Sequence, residues 1–212
     1  AQLPAISPAQ GARRADAIPF GSMNNPAKIT LERLDLWAEI LLAVPGSRLV
    51  MTNIPAGPVC EDIRARFTRR GIAPDRLHFP GRLPASDYRA LLDRIDIALD
   101  PFPYNGTTTT CETLWAGVPV VTQAGETSAA RAGYALLKAV GLEALVAAST
   151  VEYVRTAVEL AHNPTRLAAL RAELPVRFAA SPLRDEAGFT RDLEAAYRDM
   201  WRRWCRVDTE SA

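Results

Sequence analysis

The densest group of hydroxyl side chains in this 212-residue sequence is a run of four threonines, Thr107 to Thr110. It follows an apolar segment, residues 97–99, which has no polar alternation and so predicts a strand covered on both faces. A turn rich in proline, asparagine and glycine separates the two. The threonines are predicted to open a helix that ends at Gly117. Hydroxyls, loop N–H groups and the positive end of a helix dipole together favour the binding of phosphate oxygens.

A carboxylate lies one helical turn beyond these hydroxyls. Glu112 follows Thr108 by four residues, so both side chains project from the same face of the predicted helix. There the carboxylate can accept hydrogen bonds from the hydroxyls of a ribose whose phosphates lie at the helix start. The alternative is that the threonines only cap the helix and that Glu112 only interacts with its dipole. Spacing alone leaves both interpretations open.

A second candidate group follows the first predicted strand, residues 18–23. Asn25 and Lys28 lie in the loop before a helix that Thr30 is predicted to cap. Ligands of open α/β sheets gather at the carboxyl ends of the strands, and this loop lies at such an end. A lysine there offers a compact positive charge to a diphosphate. The alternative is an ordinary solvated lysine.

The elements that must position these residues alternate along the chain. Short predicted strands are separated by helical segments whose apolar residues recur at helical spacing. This alternation indicates an α/β fold with a Rossmann-like, doubly wound parallel sheet flanked by helices. The domain is predicted to span residues 18–206, with a linker at residues 1–17 and a tail at residues 207–212. The predicted strands are residues 18–23, 48–53, 77–79, 96–99, 119–123 and 145–147.

Composition narrows the classes of partner and of location. The 25 Lys and Arg residues nearly balance the 24 Asp and Glu residues, so nucleic acid is not expected as a partner. No apolar run reaches the roughly 20 residues that span a bilayer, so no membrane partner is expected. Three scattered cysteines without a C-x-x-C pair fit reduced thiols and a cytoplasmic location. The sequence has no Asp-x-Asp pair that could hold a divalent cation, and His78 and His162 are interpreted as structural or surface residues. No metal or other cofactor is therefore expected.

The turn, the threonine run and the helix after it resemble a motif of a known family. The segment Tyr104-Asn-Gly-Thr-Thr-Thr-Thr-Cys-Glu-Thr-Leu-Trp-Ala-Gly-Val-Pro-Val-Val121 is similar to one in the protein O-linked N-acetylglucosamine transferases, including their SPINDLY-like branch. The resemblance extends from about Phe20 to Cys205. It implies that the domain is the C-terminal, donor-binding half of a GT-B glycosyltransferase.

The resemblance also implies roles for the phosphate-binding residues. Asn25 and Lys28 would meet the donor diphosphate together with three hydroxyls, and Glu112 would hold the ribose. Lys28 would be the catalytically important residue, because its charge meets the leaving diphosphate. The N-acetylglucosamine transferases of the family often carry Gln where Asn25 stands. The three hydroxyls are those of Thr107, Thr108 and Thr109.

For the base of the nucleotide, the resemblance points to a segment near the middle of the chain. A backbone group near Leu83 would bind the edge of the base, and Tyr88 would stack on its face where relatives often have His. The alternative for Tyr88 is a half-buried core aromatic. Some relatives carry a basic residue where Leu91 stands, so this chain lacks one of their donor contacts. The identity of the nucleotide base is therefore left undecided. A Gly-Glu-Thr element further along the chain is predicted to open another helix. The resemblance implies a weak role near the donor for Glu126 and for the nearby Arg131. The alternative is that these two residues only form a local ion pair.

The predicted function is therefore donor binding in an inverting, metal-independent glycosyltransferase. The resemblance implies transfer of N-acetylglucosamine from UDP-N-acetylglucosamine to Ser or Thr of proteins. One alternative is a GDP-fucose-dependent protein O-fucosyltransferase of SPINDLY type. Another, from a different class, is a non-catalytic nucleotide-binding or interaction module.

The implied partners lie mostly outside this chain. They are a nucleotide sugar, a protein acceptor, and an N-terminal lobe and tetratricopeptide array of the same full-length protein. No residue of the chain is a convincing general base, which fits an acceptor side in the first lobe. The isolated chain is therefore expected to turn over little or nothing. Apolar residues near its end, including Trp201 and Trp204, are predicted to pack on the core, with contact to a partner lobe as the alternative.

Overall fold

Six short parallel strands form one sheet within residues 18–210, the part of the chain that the computed structural model describes. Side chains are described from residue 18 to residue 206. The segment 1–17, predicted as a linker, lies outside the described residues. The strands are β1 (Pro19–Ser22), β2 (Arg48–Met51), β3 (Leu77–His78), β4 (Ile97–Leu99), β5 (Val120–Gln123) and β6 (Val146–Ala147).

The strand order reverses beside the first strand. Across the sheet the order is β3-β2-β1-β4-β5-β6, and every neighbouring pair is parallel. Phe20 pairs with Leu49 on one side and with Ile97 on the other, so β1 lies at the centre. This order confirms the predicted Rossmann-like, doubly wound sheet. In such sheets ligands bind outside the carboxyl ends of the strands at the point of reversal, which here lies between the loops after β1 and β4.

Eight α-helices within residues 18–210 connect and cover the strands. They are α1 (Leu31–Ala43), α2 (Pro58–Arg69), α3 (Ala85–Leu92), α4 (Thr108–Trp115), α5 (Ala132–Ala139), α6 (Thr150–Ala161), α7 (Pro164–Ala179) and α8 (Glu186–Glu210). Right-handed crossovers distribute the helices over both faces of the sheet. Accordingly, α1 contacts α2 and α6, whereas α4 contacts α5 and α7. None of these helices combines the length and the apolar character needed to cross a membrane.

The central strands are covered on both sides by apolar side chains. Phe20, Leu49, Ile97 and Val121, one from each of the four central strands, are fully buried. The apolar run of residues 97–99 predicted this for β4, because a parallel sheet wrapped by helices has no solvated face. Burial of each such side chain contributes about 1.5–3 kcal/mol relative to exposure. The sheet is therefore a rigid base for the loops at its carboxyl edge.

Local signals set the ends of the helices near that edge. The Oγ1 atom of Thr30 accepts a hydrogen bond from the N–H of Arg33 at 3.2 Å, so Thr30 caps α1 as predicted. Gly117 follows the end of α4 with φ 75°, a conformation that side chains disfavour. A Cβ at Gly117 would also lie 2.9 Å from the carbonyl oxygen of Arg171 in α7. Both capping signals were visible in the sequence.

The start of α5 differs from the prediction. The sequence predicted that the Gly-Glu-Thr element at residues 125–127 opens a helix, but α5 begins at Ala132. The preceding residues form turns instead, because the Oγ1 of Thr127 accepts the N–H of Ala130 at 3.3 Å. Small polar side chains of this kind stabilise turns as readily as helix starts.

The last helix, α8, carries an exposed apolar face, and the predicted packing of this face on the core is wrong. Trp201 is 67% exposed and Trp204 is 64% exposed. From Phe189 to Arg206 every residue of the helix is exposed, so this face is not packed on the core. The helix continues to Glu210, which includes the first residues of the predicted tail 207–212. The other large apolar side chains exposed on α8 are Phe189, Leu193, Tyr197 and Met200.

Candidate functional site

Two loops meet at the carboxyl edge of the sheet, where the strand order reverses. The first follows β1 and contains a short 3₁₀ helix, Pro26–Lys28. The second follows β4 and leads into α4. An antiparallel bridge between Ile29 and Pro103 joins the two loops. The neighbouring positions of β1 and β4 thus bring together the two candidate segments that the sequence singled out.

Lys28 reaches from the first loop to the second. Its Nζ donates a hydrogen bond to the carbonyl oxygen of Asn105 at 3.1 Å and lies 3.9 Å from the centre of the Tyr104 ring. A carbonyl and an aromatic face both stabilise an ammonium group without neutralising its charge. Positive charge is therefore retained at this edge of the sheet, on a half-buried side chain.

Asn25, predicted to act beside Lys28, is exposed at the start of the 3₁₀ helix. Its Oδ1 accepts a hydrogen bond from the N–H of Ala27 at 3.0 Å, so the side chain has a local capping role. The position is on the first loop, as expected. Its contact with a diphosphate stays a prediction.

The threonine run lies at the start of α4, which begins at Thr108. Thr107 and Thr108 are exposed, and the side chain of Thr107 makes no capping hydrogen bond with the described residues. The third hydroxyl, on Thr109, donates to Oδ1 of Asn24 at 2.8 Å. Exposed hydroxyls beside the first N–H groups of a helix fit an anion better than a capping role.

Gly106 lets the second loop pass close to the start of α4. A Cβ at this position would lie 2.8 Å from Oδ1 of Asn24 and 2.9 Å from Oγ1 of Thr109, closer than real side chains approach. The N–H of Gly106 donates to Oδ1 of Asp100 at 2.8 Å. Any side chain at position 106 would therefore push the loop away from the helix start.

The residues predicted to bind ribose and base are in contact with each other. The phenol of Tyr88, in α3, donates a hydrogen bond to Oε2 of Glu112, in α4, at 3.0 Å. Burial raises the pKa of Tyr88, and the charge of Glu112 raises it further. Tyr88 and Leu83 are also half-buried against the core, so Tyr88 has the packing role that the sequence left as its alternative. The contacts of these three residues with a nucleotide stay predictions.

Asp100, directly after β4, is a buried carboxylate to which the sequence analysis assigned no role. Its Oδ1 accepts the N–H of Gly106, and its Oδ2 accepts the hydroxyl of Thr122 at 2.6 Å. Burial raises the pKa of Asp100 to about 7, although these hydrogen bonds and the charges of Arg33 and Lys28 oppose the rise. Its position at the carboxyl end of a buried strand was the one available signal.

A series of buried polar side chains connects α1 to the start of the second loop. None of them was predicted from the sequence. Arg33 of α1 donates from Nη2 to Oε1 of Gln123 at 2.9 Å and lies 4.3 Å from the centre of the Tyr153 ring. The hydroxyl of Tyr153 accepts from Nε1 of Trp37 at 3.0 Å and donates to the carbonyl oxygen of Asp100 at 3.1 Å. These partners are 53 to 116 residues apart in sequence, so no local pattern could indicate them.

Glu126 and Arg131 lie on the loop after β5, at the same edge of the sheet. Both are exposed. The Nη1 of Arg131 donates to the carbonyl oxygen of Gly125 at 3.1 Å, and its guanidinium lies 4.9 Å from the centre of the Tyr134 ring. The contacts of the described residues include no ion pair between Glu126 and Arg131, so the alternative of a local ion pair is not realised. Their weak role near a donor stays a prediction.

The arrangement offers positive charge, hydroxyls and one carboxylate along a short stretch of sheet edge. Lys28 and the start of α4 provide the positive field. Glu112 provides an acceptor one helical turn further on. Such a set matches a ligand with phosphate oxygens next to sugar hydroxyls. Within residues 18–206, no three His, Cys, Asp or Glu side chains are close enough together to hold a metal ion.

The sequence is similar to a defined family and to proteins of plants and animals within it. The model of glycosyl transferase family 41 matches residues 5–193. A probable UDP-N-acetylglucosamine–peptide N-acetylglucosaminyltransferase SPINDLY of Petunia hybrida is 47% identical over 199 residues, which are 92% of this chain and 21% of that protein. A UDP-N-acetylglucosamine–peptide N-acetylglucosaminyltransferase of Caenorhabditis elegans is 34% identical over 189 residues, 89% of this chain and 16% of that protein. The chain thus spans about a fifth of the length of the curated relatives it matches.

The fold is similar to part of a solved transferase. An O-GlcNAc transferase of Thermobaculum terrenum superposes with a TM-score of 0.85 and 37% sequence identity, covering 96% of this chain and 40% of that chain. The structural neighbours are GT-B glycosyltransferases, which confirms the predicted fold class. The match of the family model over most of the chain, together with the identity to these relatives, shows that the chain belongs to glycosyl transferase family 41.

Proposed function

We propose that this chain is the donor-binding half of an inverting, metal-independent glycosyltransferase that transfers N-acetylglucosamine from UDP-N-acetylglucosamine to Ser or Thr of proteins. The observation that carries the proposal is the contact between Lys28 and the loop that enters α4, at the point where the strand order reverses. The names of the Petunia and Caenorhabditis relatives describe transfer from the same donor to peptides.

The diphosphate of the donor lies, in this proposal, between Lys28 and the start of α4. Thr107, Thr108 and Thr109 provide hydroxyls and N–H groups, and Asn25 provides its amide from the first loop. As the bond to the sugar breaks, negative charge accumulates on the departing diphosphate. Lys28 and the helix dipole stabilise that charge without a metal ion. Lys28 is therefore the residue of this chain with a catalytic role.

The nucleoside lies along α3 and α4. Glu112 accepts hydrogen bonds from the ribose hydroxyls, and Tyr88 stacks on the base while a backbone group near Leu83 binds its edge. The contact between Tyr88 and Glu112 supports this arrangement, because it places the two side chains at neighbouring points of one surface. GDP-fucose is the alternative donor, implied by the resemblance of the sequence to the SPINDLY-like branch.

The acceptor side and the general base belong, in this proposal, to other parts of the same protein. The partners are a protein acceptor, an N-terminal lobe and a tetratricopeptide array. The exposed apolar face of α8 supports contact with a further lobe, because six large apolar side chains there are at least 40% exposed. We also propose a cytoplasmic location, supported by the free thiols of Cys60 and Cys111.

A binding panel tests the proposal on the full-length protein. Isothermal titration calorimetry compares UDP, GDP and their sugar adducts with the wild type and with Glu112→Ala. Tighter binding of uridine nucleotides, weakened by Glu112→Ala, supports the proposal. Preference for guanosine nucleotides supports the GDP-fucose alternative instead. Failure of every nucleotide to bind would contradict both donors and favour a non-catalytic interaction module.

A further inference from the structure

Asn105 joins the segments that form the site. It is fully buried, although its sequence context is that of a turn. The Nδ2 atom donates to the carbonyl oxygens of Pro101 at 2.9 Å and of Gln123 at 3.4 Å. The Oδ1 atom accepts the N–H of Gly133 at 3.2 Å. Its side chain therefore links the second loop to the end of β5 and to the first turn of α5.

The main chain of Asn105 completes this set of hydrogen bonds. Its N–H donates to the carbonyl oxygen of Ala129 at 3.0 Å, and its carbonyl oxygen accepts from Nζ of Lys28 at 3.1 Å. Each polar group of the residue thus has a partner, as burial requires. The hydrogen bonds of the Asn105 side chain hold the residue in place, and they therefore also fix the position of its carbonyl oxygen, which accepts from Lys28.

Among the described residues, no other contact of the Lys28 ammonium group is as rigidly held as the carbonyl oxygen of Asn105. Its aromatic contact is with Tyr104, a side chain that is 53% exposed. The nearby carboxylate of Asp100 accepts from Gly106 and Thr122 instead. A lysine has a flexible four-carbon stem, so its ammonium group takes its position from the acceptor that it meets. Here that acceptor is the carbonyl oxygen of Asn105.

We propose that Asn105 is a positioning residue, whose buried side chain holds its own carbonyl oxygen where it places Nζ of Lys28 for the donor diphosphate. This inference rests on the proposed function, because Asn105 acts through Lys28 and touches no donor atom itself. Loss of the side chain frees the carbonyl, and Lys28 then samples positions from which it meets the diphosphate less often.

A first experiment needs no nucleotide. Lys28 and Lys138 are the two lysines of this sequence, and mass spectrometry of the full-length protein can follow acylation of each by an amine-reactive reagent. Asn105→Ala is expected to raise the rate at Lys28 about fivefold, which corresponds to the loss of one hydrogen bond. The rate at the exposed Lys138 is expected to stay constant. An unchanged rate at Lys28 would overturn the inference whether or not the donor assignment is correct.

A second experiment tests whether Asn105 acts through Lys28. The dissociation constants of UDP and GDP are measured for Asn105→Ala, Lys28→Met and the double variant of the full-length protein. Asn105→Ala is expected to weaken binding about tenfold in the wild type and less than about twofold in Lys28→Met, because coupled residues are not additive. Equal fold-changes in both backgrounds would overturn the inference. No effect of Lys28→Met on either nucleotide would instead contradict the proposed function.

A matched control separates positioning from loss of stability. Arg76 is remote from the site, at the opposite edge of the sheet, where Nη2 donates to the carbonyl oxygen of Leu41 at 2.6 Å and Nε to that of Ser47 at 2.7 Å. Arg76→Met is expected to lower the melting temperature while the acylation rate of Lys28 and both dissociation constants stay unchanged. If Asn105→Ala does not fold, Asn105→Ser, which keeps a hydroxyl, takes its place in both experiments with the same expected directions.

Discussion

The phenol of Tyr88 donates a 3.0 Å hydrogen bond to the carboxylate of Glu112, so the residues predicted for base and ribose form one unit. This hydrogen bond fixes one carboxylate oxygen of Glu112 against α3, and it also fixes the orientation of the Tyr88 ring. A nucleoside bound as proposed would therefore meet two side chains whose relative position is already set. Pre-organisation of this kind lowers the entropic cost of binding.

Removing either member of this pair is expected to weaken nucleotide binding to different degrees. Tyr88→Phe keeps the ring for stacking and loses only the hydrogen bond, so the dissociation constant of the preferred nucleoside diphosphate should rise about twofold to fivefold. Glu112→Ala also loses the contacts with the ribose and should raise it at least about tenfold. Calorimetry on the full-length protein measures both values. A larger effect of Tyr88→Phe than of Glu112→Ala would contradict the assignment of the ribose to Glu112.

Replacement of Lys28 should reduce transfer more than it reduces folding. In the proposed mechanism the charge of Lys28 stabilises the departing diphosphate, so Lys28→Met is expected to lower kcat by about 100-fold to 1,000-fold. The melting temperature should change little, because the side chain is only half-buried. Release of UDP from UDP-N-acetylglucosamine by the full-length protein reports the rate. Lys138→Met, on the exposed side of α5, is the control and should retain wild-type turnover.

The buried Asp100 should make stability depend on pH. The pKa of its carboxyl is raised from the ordinary 3.8 to about 7 by burial, so the folded state binds a proton that the unfolded state releases between these values. The free energy of unfolding should therefore fall as the pH rises from about 4 to about 7, by at most about 1.4 kcal/mol per pH unit. Asp100→Asn keeps an acceptor for the N–H of Gly106 and removes this component.

Urea denaturation at pH 5 and pH 8 measures the effect of Asp100. The free energy of unfolding of Asp100→Asn minus that of the wild type should be larger at pH 8 than at pH 5. The reason is that only the wild type loses the contribution of Asp100 over that interval. Asp192→Asn, on the exposed surface of α8, is the matched control and should show the same difference from the wild type at both values. A parallel response of Asp100→Asn and Asp192→Asn would show that Asp100 is not the group responsible.

The hydroxyl of Tyr153 should contribute to stability through two buried partners. It accepts from Nε1 of Trp37 and donates to the carbonyl oxygen of Asp100, so Tyr153→Phe leaves both groups buried without that bond. We expect a loss of about 1–3 kcal/mol in the free energy of unfolding, measured by chemical denaturation. Tyr197→Phe, whose ring is 60% exposed on α8, should stay within about 0.5 kcal/mol of the wild type. Similar losses in both variants would contradict the role of these buried side chains.

The exposed apolar face of α8 should matter to the full-length protein and not to this domain. Trp201→Asp and Trp204→Asp alter side chains that are about two-thirds exposed, so the unfolding of the domain should change by less than about 0.5 kcal/mol. If the face contacts a further lobe, the same variants should lower the melting temperature of the full-length protein and increase its cleavage by protease. Equal behaviour of variant and wild type in the full-length protein would exclude that contact.

Sequence reasoning located the central features because they depend on neighbouring residues. The apolar run of residues 97–99 predicted a buried strand, and Thr30 and Gly117 predicted helix ends, since capping and backbone conformation are local. The contact between Lys28 and the loop entering α4 was not predicted, because it depends on the strand order that places the loops after β1 and β4 side by side. The start of α5 was placed too early, since the hydroxyl of Thr127 stabilises a turn equally well.

The sequence by itself determined the fold class, the family motif and the region in which a phosphate ligand is expected. Only the tertiary structure decided which polar residues are buried together: Asp100 with Thr122, Arg33 with Gln123, and Asn105 with Lys28. It also decided that the apolar face of α8 is exposed. The physical reason is the same in each case. Burial and long-range hydrogen bonds depend on what packs against a side chain, and residues far apart in sequence leave no periodic signal of their pairing.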